Sequence, residues 1–228
     1  MIVHLQGGLG NQMFQYAYGR AQTIESGEPL YFDLSLLASG QPPRKLGLDA
    51  YVPVEVAPDG MKGERLNGYW QNERYFHPSI RREFAKPLGQ PSKEVMALAG
   101  RIFGTWNATF IGVRRADYLW PERLAFHGVM PADYYQMAVA MLPRSKFFVF
   151  TDDVEWAKAN VPGEVVSSGE PHWDIWLMSL CQNAIIANST FHWWGAYLGP
   201  DRRGTVIAPK NWFVQESSDI APERWTVL

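Results

Sequence analysis

Two consecutive arginines close an apolar run in Val113-Arg114-Arg115-Ala116-Asp117-Tyr118. Each guanidinium offers a planar fork of donors that keeps its charge, which suits the oxygens of a diphosphate, and Asp117 is spaced to orient one of them. Read alone, the stretch serves equally as a surface salt bridge. A second polar cluster, Asn188-Ser189-Thr190, stands between an apolar run and a helical one, where hydroxyls and free N–H groups form an anion site or simply a helix cap. At the start of the chain, Gly7-Gly8-Leu9-Gly10 lets the backbone approach a ligand closely, and Asn11 and Gln12 offer amides to sugar hydroxyls; a tight turn alone needs the same glycines. Asp33 lies where a ribose-binding acid belongs in a dinucleotide fold, but Met13 occupies the place of that fingerprint's third glycine.

The elements that must carry these residues follow from periodicity. Ile2-Val3-His4-Leu5 reads as a strand, Met13, Phe14, Ala17, Ala21 and Ile24 recur at helical spacing up to Gly27, and Pro29–Asp33 reads as a second strand, giving a βαβ unit. Residues 38–68 read as loop with short elements, 77–86 as a helix, and Lys86-Pro87-Leu88-Gly89-Gln90-Pro91 as a connector. From residue 106 the order is regular: strands at 108–113, 146–150, 164–167, 184–187 and 205–208 alternate with helices at 131–142, 152–160, 173–183 and 190–198. Such alternation implies a parallel sheet covered on both faces, with ligands at the carboxyl ends of its strands. That edge carries Arg114 and Arg115, Asp152, Asn188, Ser189 and Thr190 together, which favours a nucleotide diphosphate pocket.

Composition narrows the remaining classes. A formal charge of −2 with no basic block argues against nucleic acid as a partner. The one cysteine, Cys181, excludes an internal disulfide, and the five histidines have no ligand spacing, so no metal site is expected. No apolar run approaches the roughly 18–20 residues that span a bilayer, which gives a cytoplasmic expectation. Trp70, Trp173, Trp176, Trp193, Trp194 and Trp212 sit beside polar residues, as in sugar sites, although 190–198 reads as a buried helix and most of these as core.

Taken in order, several motifs resemble the bacterial α-1,2-fucosyltransferases of glycosyltransferase family 11. They are Gly7 to Ala17, Gly68-Tyr69-Trp70-Gln71, Val113 to Tyr118, Asp133-Tyr134-Tyr135, Phe148-Val149-Phe150-Thr151-Asp152-Asp153, Leu177 to Cys181, and Ile185 through Asn188-Ser189-Thr190-Phe191-His192-Trp193-Trp194-Gly195-Ala196. The resemblance implies an α/β, GT-B-like fold of two Rossmann-like lobes with parallel sheets and a cleft between them, which we divide into 1–105 on the acceptor side and 106–228 on the donor-nucleotide side. It implies transfer of L-fucose from GDP-β-L-fucose, with inversion and without metal or other cofactor, to the 2-hydroxyl of a galactose-terminated glycan; peripheral contact with the inner face of a membrane where glycans are assembled stays open beside the cytoplasmic expectation.

By the same resemblance Arg114 contacts the donor phosphates and Asn11 lies at the cleft. A fixed cation there stabilises the charge that develops on departing GDP. We place Arg114, Asp117 and Asn11 as catalytic, and Gly8, Gly10, Arg114, Arg115, Asp152, Asn188, Ser189 and Thr190 as donor-binding. Asp117, Glu122 and His127 are the candidates for the base, although an arginine beside Asp117 weakens it in that role. The chain departs from the family pattern at Gly112 and Asn183, where histidine is usual, and at Ala116, where glycine is. It is also short in its N-terminal half. These changes leave open the same fold with another nucleotide sugar, or a module that binds nucleotide or glycan without turnover.

Overall fold

A computed structural model of the protein describes residues 1–24, 26–40, 42–199, 204–215 and 219–228. The chain forms two units, Met1–Gly89 and Gln90–Leu228.

The first unit contains β1 (Ile2–His4), α1 (Leu9–Ile24), β2 (Tyr31–Asp33), α2 (Ser35–Ser39), β3 (Arg65–Leu66) and α3 (Ile80–Glu83). Its three strands are parallel in the order β2-β1-β3, with Ile2 beside Tyr31 on one side and Arg65 on the other. The turn into α1 depends on Gly7, whose φ of +77° is one that L side chains rarely adopt. Close packing of helix on sheet depends on Gly19, where a Cβ would come within 2.8 Å of Val3 and 2.9 Å of Leu30. The helix expected over 77–86 is only one turn, because Pro78 and Pro87 bracket it.

The second unit contains α4 (Lys93–Phe103), β4 (Ala108–Val113), α5 (Pro121–His127), α6 (Ala132–Ala140), β5 (Lys146–Thr151), α7 (Val154–Asn160), β6 (Glu164–Val165), α8 (Pro171–Ser179), β7 (Asn183–Ile185), α9 (Thr190–Tyr197), β8 (Val206–Ala208) and β9 (Thr226–Val227). All six strands pair in parallel in the order β6-β5-β4-β7-β8-β9. The boundary falls at 89/90, inside the expected connector, and not at 105/106. The reason is α4: Ser92 caps it by accepting from Val95 N at 3.2 Å, Val95, Ala99 and Ile102 are buried at helical spacing, and the helix packs on α8.

The chain runs outward from β4 to β5 and β6, then returns to lay β7, β8 and β9 on the other side of β4. The loops leaving β4 and β7 therefore turn in opposite directions, and this is where open parallel sheets bind ligands. Ile111, Val149, Ile185 and Ile207 fill one sheet face, packed against Tyr134, Tyr135 and Ala138 of α6. Trp173, Trp193, Trp194 and Trp212 are buried, so they build the core and hold no sugar, while Trp70 is half-buried and stacks on Tyr18 at 4.2 Å.

Candidate active site

The residues after β4 alternate in direction, and the two arginines take different partners. Arg114 bonds Asp117 through one nitrogen and donates through Nη1 to Asp152 Oδ2 at 2.6 Å. Its guanidinium lies 5.1 Å from the centroid of the Tyr118 ring. Arg115 turns to the other side, where it lies 4.1 Å over Trp156 and donates to Asp153 at 3.1 Å. Arg115 is thus a clamp between β4 and α7. Asp152 also accepts from Arg115 N at 2.8 Å, so this carboxylate, expected on the donor, holds the arginine turn in shape.

Asp117 sits in a 3-10 turn over 116–119, which brings it back to Arg114 three residues earlier. Its second oxygen accepts from Arg123 at 2.8 Å. With a guanidinium on each oxygen, Asp117 orients two cations. Glu122 is exposed in the first turn of α5. His127, at the end of that helix, stacks on Tyr118 at 4.4 Å and 9°. Burial lowers its pKa, and the charges of Arg123 and Arg114 lower it further. Burial raises the Tyr118 hydroxyl, which donates to Asn188 O at 3.3 Å.

The loop after β7 meets this cluster from the other side of the switch. Ala187 N donates to Gly112 O at 3.1 Å, and Asn188 Nδ2 donates to His127 O at 2.7 Å and Trp212 O at 3.2 Å. Asn188 therefore pins three segments together, and its Oδ1 is buried without a partner among the described residues. Ser189 precedes α9 in extended conformation, and its side chain makes no capping bond. Thr190 is the first residue of that helix. Arg114, Asp117, Asp152, Asn188, Ser189 and Thr190 are thus on one edge of one sheet, as their positions after strands imply.

His192, in the first turn of α9, is 4% exposed and stands against Gly112. A Cβ at position 112 would lie within 2.6 Å of its Cδ2 and Nδ1. Burial, reinforced by Arg114, lowers its pKa to about 3. Nothing in the sequence links the two positions, because only the fold sets a helix residue against a strand residue. Asn183, the other departure, lies at the amino end of β7, bonded to Asn107 at 2.8 Å, Thr109 at 3.2 Å and Thr205 N at 2.9 Å. It fastens strand starts at the edge opposite Arg114. Tyr118, Arg123 and His192 were not singled out for the site by residue type; the usable signal was the acid-to-base spacing from Asp117 to Arg123.

The remaining candidates belong to the first unit. Gln12 is fully buried: Nε2 donates to Gly7 O at 3.1 Å and Lys45 O at 2.9 Å, and Oε1 accepts from Gly47 N at 2.9 Å and Leu48 N at 3.2 Å. This amide is spent on the fold and offers nothing to a sugar. Asn11 is half-buried and accepts from Gln71 at 2.9 Å. A Cβ at Gly8 would meet nothing within 4 Å, so open space lies over that turn, whereas Gly10 is buried within α1.

Among the described residues no group of three or more His, Cys, Asp or Glu side chains is gathered as for a metal, and no helix is long and apolar enough to cross a membrane.

Known proteins resemble the chain over most of its length. The chain is 32% identical to an α-1,2-colitosyltransferase of Escherichia coli, over 99% of its own length and 97% of the relative's. It is 27% identical to galactoside α-(1,2)-fucosyltransferase 2 of Oryctolagus cuniculus, over 86% of this chain and 66% of that one. Among solved structures, the fucosyltransferase NodZ from Bradyrhizobium superposes with a TM-score of 0.55 at 16% identity, over 87% of this chain and 92% of that one. NodZ crystals soaked with GDP-fucose match to the same extent. That likeness shows the GT-B-like α/β fold. The family model described as glycosyl transferase family 11 matches residues 63–227, which include the whole arginine edge. With that match and a relative similar over nearly its full length, the chain belongs to glycosyltransferase family 11 and is a glycosyltransferase.

Proposed function

We propose that the protein transfers L-fucose from GDP-β-L-fucose to the 2-hydroxyl of a galactoside, with inversion and without a metal ion. The observation that carries this reading is Arg114, a cation fixed between Asp117 and Asp152 at the switch point of the second unit's sheet. Its charge is oriented before any ligand arrives, so it can stabilise the diphosphate as the bond from fucose C1 to the β-phosphate oxygen breaks. The acceptor oxygen forms its bond to C1 from the opposite face and passes its proton to solvent water, and GDP leaves with the electron pair of the broken bond. The second unit is the donor side on this reading and the first unit the acceptor side. The α-1,2 linkage and the galactoside acceptor are supported by the names of the relatives.

One observation favours a second reading. The colitosyltransferase is similar over 99% of this chain, and colitose differs from fucose by the absence of a 3-hydroxyl, so GDP-colitose is the alternative donor.

Calorimetric titration with GDP, GDP-fucose and GDP-colitose in the presence of EDTA, followed by GDP release on mixing with lactose, tests both. Tight binding of GDP-fucose with release and a new α-1,2 linkage is the expected result. Preference for GDP-colitose replaces the donor sugar, binding without release of GDP indicates a module without turnover, and no binding of any of the three overturns the nucleotide assignment.

A further inference from the structure

Gly112 and His192 fit each other as a space and its filling. Gly112 is buried in β4, one residue before the strand's end, and the imidazole of His192 occupies the volume that any side chain there would need. Cγ, Cδ2 and Nδ1 are the ring atoms nearest that volume, so Cε1 and Nε2 form the edge farther from the strand. Nδ1 is buried and has no hydrogen-bond partner among the described residues. As filler alone the imidazole is a poor choice, since an apolar side chain would occupy the same space without stranding a polar atom.

Burial and the neighbouring Arg114 charge keep the ring neutral. A neutral imidazole has one N–H and one lone pair, and an orphaned buried N–H is rarer than an under-satisfied acceptor, which assigns the proton to Nε2. His192 is in the first turn of α9, three residues past Ser189, at the switch where Arg114 leaves β4.

We infer that His192 contacts the donor, its Nε2–H donating to an oxygen of the nucleoside diphosphate sugar held by Arg114, and that Gly112 is the gap in the strand that lets it stand there. The inference rests on Arg114 holding such a donor. The imidazole adds a hydrogen bond without a second cation, so it orients a phosphate or sugar oxygen beside the guanidinium.

The test is titration of the full chain with GDP and GDP-fucose, together with thermal melting, for the parent, His192→Leu, His192→Gln and Gly112→Ala. His192→Leu is expected to melt no lower than the parent while donor affinity falls about tenfold, the loss of one hydrogen bond to a charged or polar ligand oxygen. His192→Gln, whose Nε2 reaches toward the same point, is expected to recover part of that affinity. Gly112→Ala must push the ring aside, and its donor affinity should fall as well. Parent-like binding by His192→Leu, or equal weakness in the Leu and Gln variants, overturns the inference. If His192→Leu does not fold, parent-like affinity in Gly112→Ala overturns it instead. A parent that binds neither compound removes the assignment of Arg114, which is a different failure and precedes any comparison of variants.

Discussion

The polar groups of the two units are used in opposite ways. In the first unit, the amides that follow the glycine turn close on the protein itself: Gln12 on Gly7, Lys45, Gly47 and Leu48, Gln15 on Gln6 N and Gly68 O, and Asn11 on Gln71. One exception, His4 Nδ1, faces Asp33 at 3.5 Å. In the second unit, three buried acceptors or donors, Asn188 Oδ1, His127 Nδ1 and His192 Nδ1, lack partners among the described residues, and all belong to the segments around Arg114. Buried polar atoms are nearly always paired, so a cluster of open ones beside a fixed cation sets this edge apart from the first unit, where the closed amides mark a fold that completes itself.

The sharpest way to break this contrast is Arg114→Ala. It should weaken GDP binding by on the order of 100-fold in calorimetry, because a charge-assisted fork is lost and Asp117 and Asp152 lose the cation between them. Arg114→Lys keeps the charge without the fork and should fall between parent and Ala. Retained binding in Arg114→Ala would move the donor site elsewhere.

Gln12→Ala probes the closed side. Four hydrogen bonds disappear and Gly47 N, Leu48 N and two carbonyls are left to find water, so stability should fall by about 3 kcal/mol, read by urea denaturation, with hydrogen exchange accelerating in residues 1–89 first. Exchange that accelerates in the second unit instead would contradict the division of labour.

Acid should act on the open side. Free histidine titrates near 6.5 and His192 in the folded chain near 3, so the unfolded chain takes up the proton first as pH falls. Stability that is complete above pH 6.5 is lost progressively towards pH 3, and this residue should account for about 2 kcal/mol between pH 7 and pH 5. His127, lowered by its own burial, acts in the same direction. His192→Leu should flatten the profile, and an unchanged slope would show that the ring is already charged in the folded chain.

The smallest effect is expected from Asn11→Ala. Loss of its bond to Gln71 should cost about 1 kcal/mol, with GDP affinity unchanged and turnover reduced, a combination that titration and steady-state kinetics separate.

How far the sequence disclosed this arrangement depended on whether partners are near in the chain. The arginine turn, the alternation of strand and helix and the position of Asn188-Ser189-Thr190 are local patterns, and all were readable. The connector at 86–91 was visible too. The unit boundary was set too late because α4 was not read, although Ser92, Val95, Ala99 and Ile102 carry its cap and its stripe. Helix α5 has no buried residue and therefore no apolar stripe to read. Arg115 looked like a second phosphate ligand, and only the alternation of directions after β4 sends it to Trp156. Asn183 and Gly112 looked like equivalent losses. The fold puts the first at the amino edge of the sheet, among Asn107, Thr109 and Thr205, and the second beside the arginine turn, a distinction that needs strand direction and register.

The arginine turn also has an electrical consequence. Arg114, Arg115 and Arg123 are matched by Asp117, Asp152 and Asp153 within hydrogen-bonding distance, so the charges of the cluster balance. Seen from beyond a Debye length, about 8 Å in physiological salt, such a cluster exerts little pull on anions. On the proposed function, capture of a nucleotide sugar depends on close fit and not on long-range attraction, and its association rate should vary only weakly with ionic strength. Small multivalent anions abundant in the medium, which could satisfy the guanidinium but none of the surrounding polar atoms, gain little from the encounter and leave the turn open for the larger ligand.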